Sequence, residues 1–412
     1  MTFPSILPMR MIIMIKIRVK VSPLRVIAGL TVVIAPSFCF ATTGLYATGY
    51  GTREQGMGGA TIAVGQSAMA AATNPAGMAF VGDRLDLGLG VIVSSAGTYY
   101  NGKDYSADLG VAPLPEFGYN SVVSDAVTWG LTSWSSGGVV SYDRAYGDIP
   151  GNSDTYAQGV FVHVAPTITY KFGDGYQHAL AFSLVGALAT FKLNGAEAQS
   201  QQDNPDRDWK PGYGYKIGWM SQFTSQFSMG AFYASKVRYR PFTNHSTMLP
   251  DSGRFEEPEH YGVGFSLRPS KDWLVALDWL RYNYANTRIL GNDVDFSAPL
   301  GSPDGPGFGL TNINVYRLGV EYKFNDRLKL RTGFEYSQEP LQTKNTAFNF
   351  LLPVTSTRTY TLGASYQTSK DSEVSLAYAF SPEKRVRGEG LSAGVDPHAE
   401  LHYFALSYSK TF

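Results

Sequence analysis

Few side chains in this sequence are placed to catalyse a reaction. A hydrolase triad needs a serine, a histidine and a carboxylate or amide that converge in space. The pair His245-Ser246 supplies the first two, but no third partner is marked near it. The six histidines lack the spacing of metal ligands; they are His163, His178, His245, His260, His398 and His402. The sequence therefore predicts neither an enzyme nor a site for a metal or another cofactor.

Cysteine chemistry depends on whether the N-terminal segment is kept. The only cysteine, Cys39, follows a basic leader and lies in an apolar stretch from Val26 to Phe40. Cys39 and Ala41 occupy the −3 and −1 positions of a cut before Thr42, which predicts a signal peptide over residues 1–41. The mature chain would then contain no cysteine, which excludes disulfides, thiolate metal sites and a cysteine nucleophile.

Charged side chains alternate with apolar ones in two adjacent segments near the C-terminus. They are Arg317, Glu321, Lys323, Lys329, Arg331 and Glu335. Alternation with a period of two places them on one face of two neighbouring strands, where opposite charges pair. We predict that they form an ion-pair network facing a protected interior. An alternative role for Arg317 or Arg331 is to bind a ligand carboxylate directly.

Such an interior requires strands with one polar and one apolar face, and most of the chain has that pattern. From Tyr316 to Phe324, the even-numbered residues are apolar and the odd-numbered residues are polar or glycine. Charged residues make up only 17% of the sequence and aromatic residues 14%. Beyond the N-terminus, no run of about 18 apolar residues could form a membrane-spanning helix. This combination predicts an all-β transmembrane barrel with aromatic residues at both membrane interfaces.

Fourteen candidate strands can be counted after residue 82. They begin near Leu85, Pro115, Val127, Phe161, His178, Tyr213, Phe227, Glu259, Trp273, Ile313, Leu328, Thr357, Glu373 and Glu400. Short turns such as Gly173-Asp174-Gly175 alternate with long connections such as residues 285–312. This alternation is typical of outer-membrane barrels, which have short periplasmic turns and long extracellular loops. We predict a 14-stranded antiparallel barrel over residues 82–412.

Residues 42–81 precede the first strand and are predicted to form a small, part-helical plug. They contain Gly58 and Gly59, then an alanine-rich run that is predicted to be helical from Ser67 to Thr73. The motif Asn74-Pro75-Ala76-Gly77 follows. Proline disfavours the helical conformation at the residue before it, so the chain should turn at Asn74. The alternative is a flexible lead-in to the barrel.

Two apolar runs interrupt the predicted extracellular loops. They contain Met248 and Leu249 in one loop, and Phe348, Phe350, Leu351 and Leu352 in another. Exposed apolar patches usually mark interaction sites, so both runs are predicted to capture an apolar ligand. Alternatively, they pack against neighbouring loops or lie on lipid.

The chain resembles the FadL/TodX family of outer-membrane transporters for hydrophobic compounds. The resemblance rests on Gly58-Gly59-Ala60, on Asn74-Pro75-Ala76-Gly77-Met78-Ala79, on the number of strands and on the terminal Phe412. Gln66-Ser67 departs from the family, whose members often have an aspartate in this segment.

The resemblance implies a route for a hydrophobic ligand. The extracellular loops capture the ligand, which passes to a pocket near the N-terminus and leaves sideways through the barrel wall. The family attributes the opening to a kink in the third strand, which is here Val127 to Val140. Gly130, Gly137 and Gly138 are the candidates for a kink or bulge. At Gly137-Gly138, loop flexibility is an equally good explanation.

We therefore expect passive uptake of hydrophobic small molecules, with long-chain fatty acids as the first candidates. The expected protein is a monomer in the Gram-negative outer membrane, in contact with lipid and lipopolysaccharide. Aromatic hydrocarbons are alternative ligands, and a general diffusion porin for polar solutes is an alternative from another class. The formal net charge of zero argues against a nucleic-acid partner.

Overall fold

The computed structural model describes residues 44–175, 177–200 and 203–412, and in this part of the chain fourteen antiparallel strands close into a barrel. In chain order they are β1 (Arg84–Tyr100), β2 (Gly110–Val122), β3 (Val127–Ser141), β4 (Tyr156–Phe172), β5 (His178–Asn194), β6 (Asp208–Gln222), β7 (Phe227–Ala234), β8 (His260–Ser270), β9 (Trp273–Tyr282), β10 (Ile313–Lys323), β11 (Leu328–Ser337), β12 (Arg358–Ser369), β13 (Ser372–Arg385) and β14 (Val395–Thr411). Pairing of β1 with β14, from Arg84↔Thr411 to Tyr100↔Val395, closes the sheet. The predicted fold class is confirmed. The predicted signal peptide lies outside the described residues.

Three shorter strands extend the sheet beyond one end of the barrel. Lys103–Ser106 folds back onto the end of β1. Val237–Tyr239 and Glu256–Glu257 pair with each other and continue β7 and β8. The long connections lie at this same end, which is therefore the extracellular end, and the short turns lie at the periplasmic end.

The strand starts that follow short turns lie within one residue of their predicted positions. Four strands that follow extracellular loops start earlier than predicted, at Gly110, Tyr156, Asp208 and Val395 instead of Pro115, Phe161, Tyr213 and Glu400. These added segments lack the pattern of apolar outward and polar inward residues, because near the loops the outward face meets headgroups and water rather than hydrocarbon; in β14 the pattern is even reversed, with Asp396 and His398 outward. The alternation rule therefore detected only the part of each strand that crosses the hydrocarbon layer.

The barrel wall has an apolar outer face and a polar inner face. On β10, Tyr316 and Leu318 are 49% and 40% exposed, whereas Arg317 between them is only 4% exposed. This arrangement repeats along the other strands because successive side chains point to opposite faces of a sheet. Within the described residues, no helix has the length and the apolar character to cross a membrane.

Residues 44–81, called the plug from here on, fill the lumen. They contain the helix Thr52–Gly56 and two 3₁₀ helices, Ala70–Ala72 and Pro75–Phe80. The predicted helical run from Ser67 to Thr73 is wrong, since only the 3₁₀ turn forms there. The reason is that the barrel wall takes the backbone groups of Ala68: its N–H donates to Asp86 at 2.7 Å, and its carbonyl accepts from Thr132 at 2.8 Å.

The plug contacts the wall along a set of inward-facing glycines on eight strands, which we call the glycine belt. Its members are Gly118, Gly130, Gly218, Gly230, Gly264, Gly319, Gly333 and Gly363. A Cβ atom added at any of them would lie 2.9 Å or less from a plug atom; at Gly333 it would lie 2.2 Å from the backbone nitrogen of Gly58. The wall therefore has no side chain where the plug backbone comes closest.

Candidate ligand-binding site

An apolar cavity of about 370 Å³ opens among the extracellular loops. Loop residues Met248, Leu249, Phe348, Phe350, Leu351 and Leu352 all line it, so the structure brings the two predicted apolar runs to one place. Phe161 and Phe255 supply aromatic rings deeper in the same cavity, with ring centroids 5.0 Å apart. Its volume and its hydrocarbon lining suit a small apolar ligand.

The loops hold the cavity wall in place by aromatic stacking and backbone hydrogen bonds. The rings of Tyr146 and Phe350 stack with centroids 4.0 Å apart and planes 4° from parallel. The hydroxyl of Tyr142 donates to the carbonyl of Phe350 at 2.8 Å. Burial raises the pKa of Tyr142 well above its usual range, so this hydroxyl stays a neutral donor. Asn349 donates to the carbonyl of Phe308 at 2.8 Å and thereby links its loop to the loop between β9 and β10.

The outer edge of the cavity has apolar residues that the sequence did not single out. Phe296 is 58% exposed and Leu391 is 75% exposed, and both line the cavity. Each is an isolated apolar residue within a polar loop, so no run or periodicity marks it. They give the cavity an apolar mouth that faces the outside.

The N-terminal end of the plug separates this cavity from a smaller chamber below. Leu45 lines the cavity, and the next residue, Tyr46, lines the chamber. The backbone N–H of Leu45 donates to the Tyr284 hydroxyl at 3.2 Å, and the Tyr46 hydroxyl donates to the carbonyl of Pro258 at 3.1 Å. The Tyr46 ring stacks on Tyr282 with centroids 4.8 Å apart. A short stretch of plug is therefore the partition between the two spaces.

The chamber has a free volume of about 30 Å³, and a few polar side chains interrupt its largely apolar lining. Lys216 Nζ donates to the carbonyl of Ala72 and lies 4.7 Å from the centre of the Trp134 ring. The His163 ring stacks on Trp134 with centroids 4.9 Å apart, and its Nε2 lies 2.8 Å from Glu257 Oε1. His163 Nδ1 is buried without a hydrogen-bond partner among the described residues. The ammonium of Lys216 has three donors, so this small space retains hydrogen-bonding capacity.

The barrel wall has a gap beside this chamber. The ladder between β2 and β3 runs only from Phe117↔Ser133 to Val122↔Thr128. Above it, β2 pairs with β1 and β3 pairs with β4, and the edges of the gap are joined again where the Asp108 N–H donates to the Ser141 carbonyl at 2.8 Å. Trp134 is the first residue of β3 above the paired segment, and it also lines the chamber. The chamber and the gap therefore share Trp134 as a boundary.

The glycines predicted for a kink in β3 differ in their placement. Gly137 lies beside the gap with a φ of +113°, a conformation that favours glycine. Gly138 is next to it and pairs with Gly159. Gly130 lies instead within the paired segment and faces Met78 of the plug, so it belongs to the glycine belt and hosts no kink.

Two prolines on β2 are a sequence signal for the gap between β2 and β3, and they were not among the predicted site residues. Pro113 and Pro115 lie in the part of β2 that has no partner on β3. Proline cannot donate to a ladder, so it occurs in strands at edges or bulges. Prolines at alternate positions in a predicted central strand are therefore a readable signal for an unpaired edge.

The predicted lumen charges form tight pairs that also hold the plug. Arg317 Nε donates to Glu335 Oε2 at 2.7 Å, and Thr48 of the plug donates to Glu335 Oε1 at 3.1 Å. Arg331 donates to Glu321 at 2.8 Å. Both guanidinium groups are thus occupied by carboxylates. Lys323 differs from the prediction: it pairs with Asp326 in the adjacent periplasmic turn at 2.6 Å, because it lies at the rim of the barrel.

Asp278 is a further anchor that the sequence prediction did not include. Its Oδ2 accepts from the backbone N–H groups of Thr61 at 2.7 Å and Ile62 at 2.9 Å. A single carboxylate within the apolar strand β9 was the available signal. Two consecutive N–H groups on one carboxylate fix the middle of the plug to the wall.

The predicted plug motif closes the plug from within and ties it to the wall. Asn74 donates to the carbonyls of Ile62 at 2.8 Å and Trp219 at 3.0 Å, and its Oδ1 caps the N–H of Ala76 at 3.1 Å. Pro75 is the first residue of the 3₁₀ helix, and Ala76 and Gly77 follow it in the buried interior. Gly58 and Gly59 have φ values of +63° and +73° in the turn after the first helix.

The histidines are dispersed over the structure. In residues 44–175, 177–200 and 203–412, no group of three His, Cys, Asp or Glu side chains could hold a metal ion. His245 Nε2 accepts from the Leu193 N–H at 3.2 Å, and the Ser246 hydroxyl donates to the Thr243 carbonyl at 2.9 Å. The two side chains therefore engage separate partners and do not bond to each other.

A closed barrel with an apolar outer band and a filled lumen is an outer-membrane β-barrel with an internal plug. Residues 310–412 match the model of the family described as outer membrane protein transport protein (OMPP1/FadL/TodX). The predicted resemblance to the FadL/TodX family is confirmed by this match, and the outer membrane is the location of the protein. No curated protein matches the sequence.

Solved structures with similar folds include three transporters or transporter homologues. The Pseudomonas putida toluene transporter TodX is 18% identical with a TM-score of 0.68, over 89% of this chain and 99% of that one. The Ralstonia pickettii toluene transporter TbuX is 18% identical with a TM-score of 0.64, over 89% and 99%. A Pseudomonas aeruginosa FadL homologue is 16% identical with a TM-score of 0.66, over 91% and 100%. These likenesses establish the shared barrel fold.

Proposed function

We propose that this protein is a channel for the uptake of hydrophobic small molecules across the outer membrane. The proposal rests on the spatial order of the cavity, the chamber and the wall gap along the barrel. An apolar cavity opens to the outside, a thin partition at Leu45 and Tyr46 separates it from the chamber, and the chamber adjoins the gap between β2 and β3. A ligand that passes this N-terminal stretch of the plug reaches the wall gap without crossing the rest of the plug.

Release through the wall gap is favoured over release straight down the lumen. Below the chamber, the lumen is filled by the plug, and a polar space of about 290 Å³ follows at the periplasmic mouth. That space is lined by charged groups such as Arg53, Arg84 and Glu373. An apolar solute gains nothing by entering charged surroundings, whereas the gap gives it access to hydrocarbon.

Long-chain fatty acids are our proposed ligands. The support is the juxtaposition of a hydrocarbon-lined cavity and a chamber that holds the ammonium of Lys216. An alkyl chain fits the first space, and a carboxylate can accept hydrogen bonds from Lys216 in the second. The proposal needs only one chain, so we propose a monomer embedded in outer-membrane lipid.

Aromatic hydrocarbons are the second candidate ligands. The rings of Phe161, Phe255, Phe348 and Phe350 on the cavity support this candidate, as do the toluene transporters among the similar structures. A general diffusion porin has less support, because the plug occupies the lumen that a polar solute would need.

Binding of a fluorescent long-chain fatty acid to the refolded protein tests the proposal, with toluene as the competitor. We expect saturable binding that resists toluene and that Leu249→Ser weakens by about tenfold, because this change places a hydroxyl in the apolar cavity. Val123→Ser, in an exposed periplasmic turn, is the matched control and should bind normally.

Each other outcome has a distinct meaning. Displacement of the fatty acid by toluene would assign the channel to aromatic hydrocarbons. Absence of saturable binding by either ligand, together with open-channel conductance in a planar bilayer, would overturn the uptake proposal in favour of a porin.

A further inference from the structure

Cationic side chains cluster on the outer face of the barrel at its extracellular end. We call this group the basic rim; it consists of Lys192 on β5, Lys236, Arg238 and Arg240 on the extension of β7, and Arg281 on β9. Their neighbours along the strands, such as Val237 and Leu280, are buried on the inner face, so by alternation the rim side chains point outward. Arg238 has an exposed side chain (61%), and Arg240 is also exposed.

The basic rim lies at the level of the extracellular aromatic residues. Arg238 is in register with Tyr213, which is 68% exposed, and Arg281 is in register with Tyr261. Outward tyrosines of this kind mark the boundary between hydrocarbon and headgroups in membrane barrels. The cations of the rim are therefore at the depth of lipid headgroups rather than in bulk water.

The rim has more positive charge than its own carboxylates neutralise. Two carboxylates lie among the five cations: Glu256 is shared by Lys236 at 2.7 Å and Arg238 at 3.0 Å, and Glu259 accepts from the Tyr233 hydroxyl at 2.9 Å. In the part of the chain that the structure describes, Arg240 and Arg281 have no ion-pair partner. Across the ladder from Arg281 lie Tyr261 and Asn314, which are both uncharged.

The opposite side of the barrel has the reverse character. On β14, seven strands from β7, the outward side chains at the extracellular end are Asp396, His398, Glu400 and His402. The nearby Arg385 is already paired with Asp396. Within the described residues, single cations elsewhere at this end also lack an ion-pair partner, such as the exposed Arg358 on β12, opposite Tyr336, but the group of five cations lies on the side of β5 to β9.

We propose that the basic rim binds the phosphate groups of lipopolysaccharide, the phosphorylated glycolipid of the outer leaflet. Arginine presents a planar fork of donors that matches phosphate oxygens, and such charge-assisted bonds are the strong ones. Tyr213 and Tyr261 supply flat surface for the sugar and the start of the acyl chains. This site is separate from the apolar cavity and does not depend on the transported ligand.

Binding of diphosphorylated lipid A to the refolded protein, followed by native mass spectrometry, tests the site. We expect Arg240→Ala and Arg281→Ala to weaken lipid A binding by about tenfold each, as expected for the loss of one hydrogen-bonded charge. Lipid A without phosphates should bind as weakly to the unchanged protein as the complete glycolipid binds to the double variant. Lys271→Ala with Arg327→Ala removes two exposed cations from the periplasmic turns and should leave binding unchanged.

Three results would overturn the proposal. They are unchanged lipid A affinity in the double variant, an equal loss in the periplasmic control, and equal affinity of the unchanged protein for phosphatidylglycerol. The last result would show general attraction of anionic lipids instead of phosphate recognition at the rim. Heat-modifiable migration on gels verifies that each variant is a closed barrel, so a folding defect is separated from a binding defect.

Discussion

Lys216 Nζ lies 4.7 Å from the centre of the Trp134 ring, and this pair connects the chamber to the wall gap. If Lys216 holds the carboxylate of a fatty acid, Lys216→Met should weaken fatty-acid binding by roughly 10- to 100-fold, the effect of losing a charged hydrogen bond of about 1.5–3 kcal/mol. Toluene has no carboxylate, so its affinity should change little. Fluorescence titration with both ligands measures the difference.

Lys210→Met is the matched control for this experiment. Lys210 is on the same strand but pairs with Asp208 near the extracellular loops at 2.8 Å. An equal loss of fatty-acid and toluene binding in Lys216→Met would mean that Lys216 only maintains the local structure.

Gly137→Ala should impair ligand release more than ligand binding. The new Cβ would lie 2.1 Å from the carbonyl oxygen of Gly159, and the φ of +113° strains any other residue. Strain of this kind costs about 1–3 kcal/mol, so the edge of the gap should move. We expect slower fatty-acid uptake by whole cells with unchanged affinity of the purified protein.

Gly151→Ala separates the steric effect from the backbone effect. Gly151 has a φ of +90° but has no atom within 4 Å of the added Cβ. Unimpaired uptake in Gly137→Ala, at wild-type protein levels, would argue against the gap as the exit.

Arg317→Leu should loosen the plug. The Arg317–Glu335 pair is almost fully buried, and removing one partner of a buried pair typically costs about 3–5 kcal/mol because the other charge is left alone. Arg317→Leu with Glu335→Leu should restore part of the free energy of unfolding. We expect conductance in planar bilayers to rise in the single variant.

The exposed Arg358 provides the control for the loss of charge. Arg358→Leu should change neither stability nor conductance. A stable, non-conducting Arg317→Leu variant would show that the plug is held without this ion pair.

Acidification should weaken ligand binding through His245. Burial lowers the pKa of His245 to about 4, with Asp208 acting in the opposite direction and Lys192 in the same direction. The folded loop requires the neutral imidazole, since Nε2 accepts the Leu193 N–H. The opened loop has a pKa of about 6.5 and binds more protons, so loop stability is complete above pH 6.5 and falls between pH 6.5 and 4.

The pH effect should reach the cavity because the carbonyl of His245 accepts from the N–H groups of Met248 and Leu249. Hydrogen exchange of this loop and ligand titration at pH 7.5 and pH 5 measure it. His245→Asn keeps an acceptor without a titration in this range and should flatten the profile. An unchanged profile in that variant would assign the pH dependence to other groups.

The barrel could be predicted because its physical cause is local in sequence. Lipid on one side and the plug on the other impose a period of two on each strand, as between Tyr316 and Phe324. The alternation rule failed where the outer face of a strand does not meet hydrocarbon, as between Gly110 and Pro115. It also failed for the run from Ser67 to Thr73, whose backbone partners are wall residues distant in sequence, such as Asp86 and Thr132.

The candidate site was predictable only in part, for the same reason. The runs at Met248 and Phe350 are contiguous and therefore visible. The chamber is built from single residues on separate segments, including Tyr46, Trp134 and Lys216. Only closure of the barrel brings these residues together, so no spacing in the sequence reveals them.

The glycine belt has a consequence for reading other barrels. An open pore can carry side chains of any size along its inner wall, whereas a wall that receives a plug must have bare backbone at the contact points, as at Gly319 and Gly333. Inward-facing glycines at mid-height on many strands therefore indicate that a plug fills the barrel. This pattern distinguishes plugged barrels from open pores even in a sequence whose N-terminal segment no longer resembles a known plug.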